Sequence, residues 1–523
     1  MRRKSCVTSC RKKVDFVKLI RPTSIPKIDE TAMAHLAVSE ETLIRRAGAA
    51  VAKEILAVHK GGEVLILCGA GNNGADGYAT ALALRKAGVP ALCADVLGKG
   101  QRSEGGRAVL ADYVATVGAP IAGFDAFSRV GVSIVVDAIL GSGASGPLSD
   151  ECRLAARHVA RMDAYKIAVD IPLGVDADLG EVQKDALSVD LTVMLAFPKR
   201  GLFSYPAKEK CGKLVLADLD MGAPSRYREH FVGEATDDAF LLRRLPPRKP
   251  NTHKGSFGRL QIFAGSHKYR GAAHLVAHGA VRMGVGLVTL STEEEVVRLT
   301  GRHLPELLFD PMAPITALTE AELYERVCAT DTKDAVLIGP GCGVSEALYR
   351  MTEMLAKREG APLLIDADAL GAIAAYAPDV TAFFTSAKRA LALTPHPLEF
   401  ARLVGATATE VQASRMRFAL TYAKAWGVSL LLKGAGTLIA DKETLYVNTT
   451  GGPALAKGGS GDVLAGAVGS FIAQGIAPTE ALALGAYLHG AAGDSLALEL
   501  SEYGVTPSDL PRRMAELIAQ KMR

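Results

Sequence analysis

Glycine, amide and carboxylate side chains gather at a few places along this 523-residue chain where a phosphate or a polar ring would be handled. The first is Gly69-Ala70-Gly71-Asn72-Asn73-Gly74-Ala75-Asp76-Gly77, between an apolar run and a helical one. Glycine lets backbone amides approach an anion, and the start of the following helix adds partial positive charge. Many α/β loops need glycine only to turn. The doubled Asn and the Asp add groups that coordinate a cation or hydrogen-bond a carboxamide, which a turn does not require. Asp137, in Val135-Val136-Asp137-Ala138-Ile139-Leu140-Gly141, and Asp170, in Ala168-Val169-Asp170-Ile171-Pro172, close two further apolar runs. One such Asp caps a helix as readily as it serves a site. With Asp76, three at matching strand ends favour a site.

The strongest pattern lies near the other end, where Ala456-Lys457-Gly458-Gly459-Ser460-Gly461-Asp462-Val463-Leu464 opens a long helical stretch. Its glycines free amides for an anion, and Asp462, just inside the helix, is placed to take a proton from a hydroxyl being phosphorylated. A helix-capping Asp would not call for Gly-Gly-Ser-Gly ahead of it. Upstream, Lys433-Gly434-Ala435-Gly436-Thr437 follows a buried run and suits a nucleotide phosphate or ribose. Thr394-Pro395-His396-Pro397 and Gly339-Pro340-Gly341-Cys342-Gly343 are further turns after apolar runs. A single His is more often structural, but one between prolines is poorly explained by packing.

These residues need parallel strands to converge. Strands are predicted at 63–68, 132–140, 165–171, 191–197 and 214–219, alternating with helical periodicity, which argues for a parallel sheet covered on both faces. The alternation pauses at 221–250, rich in Pro and charge and expected to be a linker. A second series follows at 259–264, 335–338, 362–365, 391–394 and 429–432, then two Ala-rich helices at 462–474 and 479–500. The halves do not repeat each other, so two different α/β domains are expected, 28–220 and 251–523.

Composition supports this reading. Hydrophobic residues make up 49% and charged residues 22%, a soluble globular balance. Residues 1–28 hold nine Lys or Arg against one Asp, a local +8, so the rest carries −4 of the overall +4. The basic excess is therefore a tail, expected to be disordered over 1–27, rather than a nucleic-acid footprint. No apolar run reaches the ~18 residues needed to span a bilayer. The eight cysteines are scattered without paired C-x2-C units, so reduced thiols in the cytoplasm are the simple expectation.

Two family resemblances rest on these motifs. Residues 28–220 resemble the NAD(P)H-hydrate epimerase domain, through Gly71-Asn72-Asn73-Gly74-x-Asp76-Gly77, Val136-Asp137-Ala138-Ile139-x-Gly141 and Asp170-Ile171-Pro172-x-Gly174-x-Asp176. The resemblance implies a Rossmann-like three-layer sandwich that interconverts R and S hydrates of NADH and NADPH. Asn72, Asn73, Gly74, Ala75, Asp76, Gly141, Ser142, Gly143, Ala144, Ser145, Gly146, Pro147 and Asp170 would line the substrate, with Asp137 catalytic. Potassium would sit on Asn73, Asp137 and position 173, where Leu173 replaces the usual Ser and has only its backbone to offer.

Residues 251–523 resemble the NAD(P)H-hydrate dehydratase branch of the ribokinase-like superfamily. The matching motifs are Lys254-Gly255-x-Phe257-Gly258, Gly265-Ser266, Gly271-Ala272-Ala273, Gly339-Pro340-Gly341, Thr394-Pro395-His396-Pro397 and Gly458-Gly459-Ser460-Gly461-Asp462. This implies Ala272, Gly341, His396 and Asp462 at the hydrate, with Lys433 to Thr437 and Gly461 at ADP or ATP with Mg2+. Leu398 and Lys457 depart from the common residues without removing a functional group. A homo-oligomer is expected, with the Ala-rich helices as its surface. The competing readings are a small-molecule kinase acting through the second domain alone, and a scaffold in which the first site has decayed. Retention of Asn72, Asn73, Asp76, Asp137 and Asp170 argues against the scaffold.

Overall fold

A computed structural model describes residues 17–97, 102–144 and 146–523. The first domain is built on a seven-stranded sheet, parallel throughout. Its order is β4 (Ile121–Ala122), β3 (Ala91–Asp95), β2 (Glu63–Cys68), β5 (Val132–Ala138), β6 (Tyr165–Val169), β7 (Leu191–Leu195) and β8 (Lys213–Ala217). Parallel strands covered on both faces read as continuous apolar runs; β2 is buried from Val64 to Cys68 and β7 throughout. Separate apolar clusters fill the two faces, which gives the expected three layers. The order reverses between β2 and β5, so the ends of β2, β5, β6 and β7 open on a crevice.

The second domain centres on an eleven-stranded mixed sheet. Its parallel body runs β12 (Leu308–Met312), β11 (Leu287–Glu293), β10 (Arg259–Phe263), β13 (Ala335–Ile338), β14 (Leu363–Ile365), β15 (Leu391–Leu393) and β16 (Ser429–Leu432), and two antiparallel strands follow, β17 (Leu438–Ala440) and β18 (Leu445–Val447). The helices Ser460–Ala473 and Pro478–Gly504 are nearly continuous in small and apolar residues because they are buried, lying in the core on one face of this sheet. That use consumes most of the Ala-rich surface expected to serve an oligomer.

Two expectations about the chain's organisation are corrected. The stretch 221–250 is not a free linker: it supplies β9 (Phe231–Ala235), which pairs in parallel with β18, and the helix Asp238–Arg244. Part of the basic extension is ordered too, for β1 (Val17–Ile20) pairs antiparallel with β9 and closes the edge of the second sheet. The charges that resembled solvated linker form an ion-pair cluster. Glu234, only 3% exposed, is met by Lys18 at 2.8 Å, Arg243 at 2.5 Å and Arg244 at 3.6 Å. Leu19 and Ile20 are fully buried. Residues 1–16 lie outside the described residues.

The domains touch directly. Arg417 makes a bidentate pair with Glu181 at 2.7 and 2.9 Å, and Phe203 and Tyr205 of the first domain lie against Gly436 of the second. Among the described residues no helix is long and apolar enough to cross a membrane.

Candidate active sites

In the first domain the chain leaves β2 and enters helix Asn72–Lys86 almost at once, so Asn72 to Asp76 form the helix's first turns rather than a preceding loop. Two glycines make this possible. A Cβ on Gly69 would collide with Ile139 O, and one on Gly74 with Gly69 O, so the loop after β2, the helix start and the end of β5 are pressed together. Asn73 is buried and donates from Nδ2 to Leu140 O at 2.9 Å, with Gly141 against its Cβ. Asn72 donates to Glu40 Oε1 at 3.2 Å. Ala75 is fully buried in the core, and its N–H donates to Gly71 O at 3.2 Å. The turn Gly141 to Pro147 is held by Gln183, which donates to Gly146 O at 2.9 Å and accepts from Leu148 N at 2.8 Å; Ser142, Gly143 and Ala144 lie in it, and Ser145 falls outside the described residues.

Asp137 is 1% exposed and accepts from Ile139 N at 3.2 Å and Leu173 N at 2.7 Å. Burial pushes its carboxyl up to about 6 against those two amides. The expected potassium position at Leu173 is corrected by this geometry. Its side chain is 1% exposed and packs in the core with Ile139, Leu148 and Leu187, its N–H points at Asp137, and its carbonyl accepts from Leu187 N at 2.9 Å.

Asp170 follows β6 with φ 68°, a left-handed conformation uncommon outside glycine. Its Oδ1 accepts from Leu195 N at 2.9 Å and from Lys199 Nζ. Lys199, 1% exposed, is a site residue the sequence reading missed. It stands four residues beyond the end of β7, outside any carboxylate motif that would single it out. Asp76 lies beside this pair, 8% exposed, and burial together with Asp170 and Asp29 holds its carboxyl well above the usual range.

The second domain gathers its predicted residues at the corresponding sheet edge. Asp462 lies in the first turn of helix Ser460–Ala473, whose start is set by Gly459 at φ 99°. Lys433, after β16, reaches Asp366 Oδ1 at 2.6 Å and lies 3.3 Å from where a Cβ on Gly461 would stand. Asp366 also accepts from Thr394 Oγ1 at 2.8 Å, while its Oδ2 is buried without a partner among the described residues. This aspartate, too, was missed, though it ends β14 as Asp170 ends β6. Burial and the negative charge of Asp366 push Asp462 up to about 7, with Lys433 opposing.

The nucleotide-type loop Lys433 to Thr437 is braced from below by Arg415, 2% exposed, which donates to Leu432 O and Lys433 O at 3.2 Å. Thr437 Oγ1 closes the loop onto Gly434 O at 2.9 Å, leaving Gly434 and Ala435 exposed. Ala272 and Gly341 are adjacent, since a Cβ on Gly341 would stand 2.7 Å from Ala272 Cβ. His396 has a structural task that its proline neighbours hid: it caps helix Pro397–Val404, its Nδ1 accepting from Leu398 N and Glu399 N at 3.2 Å. Its Nε2 lies 3.2 Å from Glu399 Oε1, and burial pushes the Glu399 carboxyl up to about 6.

Comparison with known proteins matches two separate stretches of the chain. A family model described as NAD(P)H-hydrate dehydratase matches residues 260–516, and one described as YjeF-related protein N-terminus matches residues 40–201. The bifunctional NAD(P)H-hydrate repair enzyme of Moorella thermoacetica is 32% identical over 94% of this chain and 95% of its own length. Its counterpart in Thermofilum pendens is 34% identical over 94% of each. Among solved structures, the ADP/ATP-dependent NAD(P)H-hydrate dehydratase from Bacillus subtilis, co-crystallized with ATP and Mg2+, is 29% identical, with 55% of this chain and 97% of that chain covered at a TM-score of 0.48.

Proposed function

The chain belongs to the bifunctional NAD(P)H-hydrate repair enzymes, and from that premise we propose that its first domain interconverts the R and S hydrates of NADH and NADPH while its second dehydrates the S hydrate with ADP or ATP. The observation that carries the second activity is Asp462 at a glycine-opened helix start, with Lys433 bound to Asp366 beside it.

Hydroxide is a poor leaving group, so the hydroxyl on the hydrated ring carbon is first phosphorylated. Asp462 takes the hydroxyl proton as the oxygen attacks the terminal phosphoryl group, and AMP or ADP leaves. Amides at the Gly458-to-Gly461 helix start face the charge that develops on the phosphoryl oxygens. Lys433 neutralises the phosphates of the donor. The carbon–oxygen bond then breaks with loss of phosphate, a proton leaves the neighbouring ring carbon, and the dihydronicotinamide is restored. Mg2+, when bound with the nucleotide, would offset phosphate charge; the buried free oxygen of Asp366 and the Glu399 carboxylate suit it, since Mg2+ is commonly held by one or two carboxylates plus phosphates.

In the first domain Asn73 Oδ1 and the Asp137 carboxylate would hold potassium, whereas Leu173 brings no side-chain oxygen to it. Leu498 and Tyr503, 91% and 93% exposed near the end of helix Pro478–Gly504, are the candidate contact for the expected homo-oligomer, to be checked by light scattering.

The two activities are tested by separating them. Asp462→Asn keeps the shape but removes the base, so nucleotide-dependent recovery of cofactor from the S hydrate should fall by a factor of ~100 or more. Epimerisation of the R hydrate, followed chromatographically without nucleotide, should persist. If a phosphorylated product accumulates with the unmutated protein in place of NADH, the small-molecule kinase reading takes over.

A further inference from the structure

The helix Ile25–Leu36 lies ahead of the segment matched by the family model for the first domain, and its Asp29 has been given no role. The chain before this helix is fixed to the first site by backbone contacts. Ile20 N donates to Pro198 O at 3.0 Å, and Ile20 bridges to Lys199. Ile28 and Ala32 then bury fully in the same core cluster as Phe197 and Tyr227, and Asp29, next to Ile28, is near enough to feel the charges of Lys199, Asp170 and Glu40. Asp29 is half-buried, yet its carboxylate makes no hydrogen bond with any described residue, and the Asp76 carboxylate makes none either. Unpaired carboxylates at such depth are costly to keep as structure alone.

Resting on the epimerase reading above, we propose that Asp29 is a catalytic residue of the first site, exchanging protons with the hydrated nicotinamide ring in partnership with Asp76. The hydrated carbon bears both a hydroxyl and the ring nitrogen, and such a centre is inverted by opening and reclosing. One carboxylate takes the hydroxyl proton as the carbon–nitrogen bond breaks and an aldehyde forms. The other carboxyl gives its proton to the departing ring nitrogen. Rotation about the adjacent carbon–carbon bond presents the opposite face of the aldehyde, the nitrogen re-adds, and both protons return. No oxidant, reductant or net proton is consumed.

The step needs one proton-bearing carboxyl and one bare one, and the cluster is made to hold both. Asp29, Asp76, Asp170 and Glu40 lie within electrostatic reach of the Lys199 ammonium, which is already committed to Asp170 and to Leu195 O at 2.8 Å. Burial pushes Asp29 up to about 6, Lys199 opposing and Asp170 and Glu40 reinforcing, and holds Asp76 above the usual carboxylate range. In the opening direction Asp29 serves as the base and Asp76 as the acid. Tyr227, another titratable neighbour of Asp29 among the described residues, is occupied in donating to Met221 O at 2.7 Å.

The test uses the full chain without nucleotide, following approach to equilibrium from pure R hydrate by chromatography. Asp29→Asn should slow epimerisation by about 100-fold or more and remove the acidic limb of the pH–rate profile near 6. Dehydration of the S hydrate and the melting temperature should be unchanged. Asp29→Glu should recover part of the rate and restore a limb. An Asp29→Asn protein with a near-normal rate and its limb intact overturns the proposal, provided that Asp170→Asn is inactive. If Asp170→Asn is active as well, the epimerase site itself has been misplaced. Should Asp29→Asn not fold, an Asp29→Glu protein with an unshifted limb overturns the proposal equally.

Discussion

At the scale of single residues, Asp462 has a value suited to its task. Burial and Asp366 raise its carboxyl to about 7, whereas an exposed aspartate would be too weak a base near neutrality. The base form is the active one, so dehydration kcat/KM should fall as pH drops below about 7 and level off above it. A profile from pH 5.5 to 9 in Asp462-containing protein checks this; a flat profile would remove Asp462 from proton transfer. Leu173 gives a second residue-scale expectation. Because its side chain lies in the core, Leu173→Ser should cost stability, about 2–5 kcal/mol by analogy with other large-to-small core changes. It should not create a potassium response, since the side chain at 173 is buried in the apolar cluster with Ile139, Leu148 and Leu187. A denaturant melt and an epimerase assay with potassium replaced by a bulky organic cation measure both. The sequence made Asp137, Asp170 and Asp462 legible because a carboxylate ending an apolar run is conspicuous. Lys199, Asp366 and Arg415 follow or brace the same strand ends, but they gain meaning only when folding brings them to Asp170, Lys433 and the Lys433 carbonyl.

At the scale of elements, the strand–turn–helix units decide where the groups stand. The unit β2–Gly69–Asn72 depends on Gly74, whose missing Cβ lets the helix press against Gly69 O. Gly74→Ala should therefore push the helix start away from β5 and misplace Asn73 and Asp76. Displacements near 1 Å are enough for losses of about 100-fold in rate, so epimerisation should fall to that extent while dehydration persists. An unchanged epimerase rate would mean that the first turn of the helix is not part of the site. The central parallel strands were readable from uninterrupted apolar runs; β2, β13 and β16 fall where the sequence placed them. The strands β3, β11, β12, β17 and β18 were not, since some are short and others mix polar residues such as Thr289 and Ser291 into the apolar pattern, and the last two are antiparallel additions outside the strand–helix rhythm.

At the scale of the whole molecule, the domains are tied together where the sequence suggested a loose joint. Pro and charge in 221–250 imitate a linker, and only the pairing of β1, β9 and β18 reveals the Glu234 ion cluster as interior structure. Deleting residues 1–21, harmless if they were merely a tail, should instead destabilise the protein. It removes fully buried Leu19 and Ile20, each worth about 1.5–3 kcal/mol, and uncovers the β9 edge, which invites association. Denaturant melts and light scattering of the shortened protein test this, and an unchanged midpoint would refute it. The same strand has a consequence in time. β1 ends at residue 20, but its partner β9 ends at 235 and the strand that joins them to the sheet, β18, ends at 447. During synthesis the leading strand therefore waits for 447 − 20 = 427 further residues, on the order of 20–90 s at roughly 5–20 residues per second. The domain made first on the ribosome can take up Ile20 as it folds, but Leu19 is buried and the attachment completed only when the domain made second is nearly whole.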